Sequence, residues 1–91
     1  MMKYRHLRAA ALREQLEKIH FIENVIELES NTFIFTLKGE IFTVDLHTGE
    51  TRTNQGWSGD HFALGKKLCV PAKQMARIFG AKRQGNGGQL C

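Results

Sequence analysis

Residues 24–53 leave this chain few choices of fold. Apolar and polar side chains alternate there in four short runs: Val25–Glu29, Thr32–Leu37, Ile41–Leu46 and Glu50–Thr53. A period of two with β-branched and aromatic residues marks strands that bury one face. Ser30-Asn31, Lys38-Gly39 and Thr48-Gly49 separate the runs and read as two-residue hairpin turns. Each turn implies a register. The middle one sets Phe35 opposite Phe42 and Phe33 opposite Val44. The first sets Leu28 opposite Phe33 and Ile26 opposite Phe35, and the third sets Asp45 opposite Arg52. All three agree in placing Ile26, Leu28, Phe33, Phe35, Leu37, Phe42, Val44 and Leu46 on one side, an agreement that a one-residue slip would scramble.

The other side of this ribbon would carry Glu27, Glu29, Thr36, Lys38, Thr43 and Asp45, the composition of a solvated face. Ile34 and Ile41 break the pattern on neighbouring strands. They read either as scattered surface residues or, with Glu27, as a contact patch for a partner or a second copy.

Helical patterns flank the ribbon. Residues 4–18 are rich in good helix formers, with Leu7, Ala11, Leu12, Leu16 and Ile19 along one stripe and Arg5, Arg8 and Arg13 mostly off it. Residues 54–59 read as a loop around Trp57, the only tryptophan, which serves as a lid on the core or as an interface anchor. Asp60 or Ser58 can cap the helix that follows. Phe62, Leu64 and Leu68 precede a break at Cys69-Val70-Pro71, and a second helix, Ala72–Phe79, sets Met75, Ile78 and Phe79 on one side before Gly80 stops it. The expected fold is α+β: an N-terminal helix, a four-stranded antiparallel meander and a C-terminal helical pair in a two-layer sandwich. We assign residues 1–83 to one domain and 84–91 to a loose tail.

Ninety-one residues, 42% of them hydrophobic, suffice for one modest core. No apolar run approaches the roughly 20 residues that span a bilayer. The basic start, Met1 to His6, is not followed by the apolar segment of a signal peptide, so a cytoplasmic protein without a membrane partner is expected. A Cys69–Cys91 disulfide is open in principle but disfavoured in a reducing compartment. The four histidines lack ligand spacing, so neither metal nor other cofactor is expected. The net charge of +4 is segregated. Residues 1–20 carry five basic and two acidic side chains, residues 21–53 two and six, and residues 54–91 six and one.

Within the last segment, Leu64, Gly65, Leu68, Val70, Met75 and Ile78 fall in step with a known pattern: apolar, small, apolar, a turn, then apolar positions inside a second helix. Residues 62–79 thus resemble the helix-turn-helix motif of DNA-binding proteins, with Cys69 at the turn position usually held by glycine. The resemblance covers 18 of 91 residues. It implies a second helix presenting Ala72, Lys73, Gln74, Ala76 and Arg77, with Gln74 suited to adenine edges and Arg77 to guanine. Lys66, Lys67, Lys82 and Arg83 would contact phosphates, and Arg5 and Arg8 of the first helix would extend the positive surface. A helical hairpin that merely closes the core would show similar periodicity.

No motif for acyl or phosphoryl transfer or for metal-assisted hydrolysis occurs. Cys69, between Leu68 and Val70, reads as a small buried hydrophobe rather than a thiol paired with His61. Asp60-His61 lacks a nucleophile. No catalytic residue is assigned, and a non-enzymatic protein is expected. The first functional expectation is a small DNA- or nucleic-acid-binding regulator. The alternative is an inhibitor or adaptor that binds a protein in a host nucleoprotein complex, of the sort phages and mobile elements use, through Ile34, Ile41, Glu27 and Trp57. A homodimer is compatible with either.

Overall fold

The computed structural model describes residues 3–28 and 31–81, with side chains from Leu7 onward. The elements are α1 (Lys3–Leu16), β1 (Ile22–Leu28), β2 (Thr32–Leu37), β3 (Glu40–Asp45), β4 (Thr51–Thr53), β5 (Ser58–Gly59), α2 (His61–Leu68) and α3 (Ala72–Phe79). The strands form one antiparallel sheet in sequence order. The fold is therefore α+β, as expected.

The middle hairpin has the anticipated register. Phe33 pairs with Val44 and Phe35 with Phe42. Lys38 and Gly39 both adopt positive φ, 52° and 86°, the turn whose twist matches that of the flanking strands. The Phe35 and Phe42 rings stack with centroids 4.9 Å apart and planes 5° from parallel, and Phe33 meets Phe35 edge-on.

The first hairpin departs from expectation by one residue. Leu28 pairs with Thr32 and Ile26 with Ile34, so three residues, not two, separate the paired ends. With a side-chain period of two, this reverses the faces. Ile26 and Leu28, expected in the core, lie on the outer face at 46% and 41% exposure. Glu27, expected on the outer face, is paired with Phe33 on the core side, half-buried and 3.9 Å from the Arg13 guanidinium. A bulge between Glu23 and Ile26 sets two residues of β1 opposite one of β2. Asn24, at φ 54°, absorbs the extra residue. It shifts the side-chain alternation so that Ile22 and Val25 both pack against the core.

The third connection is longer than a two-residue turn. Thr43, not Asp45, pairs with Arg52, a shift of two that preserves the faces. Asp45 accepts hydrogen bonds from the His47 and Thr48 N–H groups and shapes the loop instead. Residues 58–59, expected in a loop, form β5 against β4, making five strands where four were anticipated.

The helices cover one face of the sheet. Ala9, Leu12 and Leu16 of α1 and Leu64, Leu68, Val70, Met75, Ile78 and Phe79 of the C-terminal pair join Phe33, Phe35, Phe42, Val44 and Leu46 in one buried cluster. The first helix ends at Leu16, two residues before the expected boundary. Trp57 is half-buried beside Phe42, their ring centroids 6.2 Å apart, and closes one end of the core. Asp60 rather than Ser58 caps α2, accepting the Ala63 N–H at 2.8 Å. No helix among the described residues is long and apolar enough to cross a membrane. The proposed tail, residues 84–91, lies outside the described residues.

The corrected register has a measurable consequence. Phe33→Ala should cost about 3–5 kcal/mol in urea unfolding, whereas Leu28→Ser should stay within about 0.5 kcal/mol of the parent. Comparable losses at both positions would restore the two-residue turn.

Candidate nucleic-acid interface

Two eight-residue helices cannot each bury a face alone, so α2 and α3 must pack closely on each other and on the sheet. Gly65 makes the close approach available. A Cβ at this position would collide with the Met75 side chain and lie 3.0 Å from the Val70 carbonyl oxygen. The chain reverses at Cys69, which takes φ 61° and ψ 38°. The N–H of Cys69 donates to the Lys66 carbonyl at 3.2 Å and that of Val70 to the Gly65 carbonyl at 2.7 Å. These bonds satisfy carbonyls that a helix end otherwise leaves open.

The left-handed turn is the conformation for which the resembling motif favours glycine. Cys69 adopts it with a Cβ and is exposed, which corrects the reading of this residue as a buried hydrophobe. It also separates Cys69 from His61, the buried first residue of α2. Eight residue steps, about 12 Å of axial rise, separate them, so no thiol–imidazole pair forms. The His61 Nε2 lies 2.8 Å from the Gly80 carbonyl oxygen and its ring packs against Phe62 and Phe79, tying the start of α2 to the end of α3.

All six positions that carry the resemblance, Leu64, Gly65, Leu68, Val70, Met75 and Ile78, are buried. The opposite side of α3 exposes Lys73 and Arg77, with Gln74 and the small Ala72 and Ala76 half-buried beside them. Lys66 is exposed, and the Lys67 ammonium sits 5.3 Å from the centroid of the Trp57 ring. Residues 61–81 contain these four cations and no Asp or Glu.

The basic residues of α1 are deployed differently. Arg8 donates to the carbonyl oxygens of Leu46 at 2.9 Å and His47 at 2.7 Å, and its guanidinium lies 5.7 Å from the Phe79 ring centroid. It thereby staples α1 to the loop after β3 and to α3. Arg13 lies near Glu27 and over the Phe33 ring. The side chain of Arg5, and Lys82 and Arg83, lie outside the described residues.

The partner-binding candidates are not brought together as a set. Ile34 and Ile41 share the outer face, but Glu27 lies on the core side and Trp57 at the core's end. In their place Ile26 and Leu28 join the isoleucines. Ile26 is the direct cross-strand partner of Ile34, and Ile41 is 42% exposed one diagonal away. Sequence reasoning missed these two because it took the connection before Thr32 as two residues long.

Comparisons with family models, with curated proteins and with solved structures find no match to this chain.

Two substitutions probe the helical crossing. Helix propensity alone would make Gly65→Ala stabilising by up to about 1 kcal/mol, but the collision with Met75 should reverse the sign and cost about 1–3 kcal/mol. Cys69→Gly should instead stabilise by about 0.5–1 kcal/mol, by relieving the left-handed turn. Both are read from chemical unfolding midpoints, and a stabilised Gly65→Ala would show that the helices cross less tightly.

Proposed function

We propose that this chain is a small DNA-binding regulator that presents α3 to the major groove. The observation that carries the reading is the α2–α3 crossing through Gly65 with its left-handed turn at Cys69. That geometry buries every apolar position of the motif and turns a face of cations and small residues outward. Lys73 and Arg77 are one helical turn apart on that face, and Ala72 and Ala76 leave room for the helix to approach base edges. Lys66, and Lys67 at its place over Trp57, provide phosphate contacts from α2, which fix orientation without reading sequence. Arg8 supports this surface from behind by holding α1 against α3.

The test is a mobility-shift titration on mixed-sequence duplex at two salt concentrations. Binding should weaken steeply with salt, and Lys73→Glu with Arg77→Glu should cost at least about tenfold at low salt and flatten the salt slope. No shift at micromolar protein in low salt would sink the reading.

A second reading rests on a separate observation. Ile26, Leu28, Ile34 and Ile41 share the outer sheet face, three of them more than 40% exposed, and their neighbours on that face include Thr32, Thr36 and Thr43. An apolar patch rimmed by hydroxyls suits a protein surface better than a phosphate backbone. On this reading the chain is an inhibitor or adaptor. A photo-crosslinker at position 34 should trap one defined protein in the cells that make the chain. Ile26→Asp with Ile41→Asp should abolish that product and leave the mobility shift intact. Crosslinking that survives the double change would remove this reading.

A further inference from the structure

Phe21 is held at φ 72°, in the left-handed region that a bulky side chain enters only under strain, yet it is 67% exposed. Burial of the ring therefore offsets little of that strain. A strained backbone that packing does not explain is characteristic of a functional position. Phe21 lines an open groove of about 550 Å³, bounded by the end of α1, the β2–β3 turn and the α2–α3 turn. Lys18, His20, Lys38 and Lys67 also line it, and no lining residue is acidic. The Lys38 ammonium lies 5.5 Å from the Phe21 ring centroid, and the His20 ring is tilted against Phe21 at 6.1 Å. Lys38 is itself at positive φ at the hairpin tip, so its cation is delivered to the groove by the same turn that sets the β2–β3 register.

We propose that this groove binds a short stretch of single-stranded nucleic acid, with one base stacked on Phe21 and the adjoining phosphates on Lys18, Lys38 and Lys67. An exposed ring among cations matches a base and its phosphates together, and stacking of this kind tolerates any base because every base has a π-face. The site is distinct from the outward face of α3 and does not rest on the duplex reading. Lys67 of α2 lines this groove and is the one cation it shares with the duplex reading.

The experiment is an anisotropy titration of the full chain with fluorescein-labelled oligothymidylate and oligouridylate. Phe21→Ala should weaken binding about tenfold, Phe21→Tyr should restore it, and Lys18→Gln with Lys38→Gln should weaken it comparably. Dependence on Phe21 in either arm supports the site, and the tighter arm shows whether DNA or RNA is its source. Phe21→Gly should weaken binding about as much as Phe21→Ala while raising the melting temperature by a few degrees, because glycine relaxes the backbone there. Lys73→Ala with Arg77→Ala should weaken duplex binding and leave single-strand binding unchanged. Equal affinity of the parent and Phe21→Ala, equal competition by polyglutamate, or equal loss of both activities on changing Lys73 and Arg77 would each overturn the proposal.

Discussion

The stacked pair Phe35 and Phe42 is the contact on which the remaining architecture stands. The two residues are cross-strand partners, and their near-parallel rings give the middle hairpin a wide apolar floor. Three short helices, two of them only eight residues long, have no stability apart from such a surface. Leu12 and Leu16 of α1 and Leu64 and Met75 of the helical pair share one buried cluster with it. Trp57 closes one end against Phe42 itself. The register of β2 with β3 thus decides where the helical pair sits, and with it where Lys73 and Arg77 emerge.

Elements with redundant local signals were legible in advance. The β2–β3 hairpin had both an alternating pattern and a two-residue connection containing glycine, and the two agreed. The α2–α3 pair had a capping aspartate, a proline after the break and a terminal glycine at the observed boundaries. The first hairpin failed because its alternation runs equally well in either parity once a bulge is admitted. Ile22, Val25, Ile26 and Leu28 supply apolar candidates for both faces, and only the pairing with β2 chooses between them. Cys69 was misjudged because apolar neighbours on both sides say nothing about a residue whose own backbone is left-handed. Phe21 carried no sequence signal at all: a short linker with one aromatic does not announce its φ.

Charge segregation along the chain becomes a division between layers, with a qualification. Lys66, Lys67, Lys73 and Arg77 of the C-terminal segment do gather on the helical side. The acidic middle segment does not make a uniformly acidic sheet surface. Glu27 is turned toward α1 and Arg13, and Asp45 is occupied in its own turn. What faces outward across the middle of β1–β3 is instead a mixture of isoleucine, leucine and threonine, with the carboxylates of Glu23 and Asp45 toward its ends.

The bulge at Asn24 also bears on how the molecule keeps to itself. β1 is an edge strand, and a flat edge of this composition would invite another chain to continue the ladder. The extra residue kinks that edge and interrupts the spacing of its outward N–H and C=O groups, while Glu23 adds a charge beside the kink. The opposite edge is only two residues long and passes through Asp60 into α2. An apolar outer face can then coexist with a sheet that resists open-ended growth into fibrils.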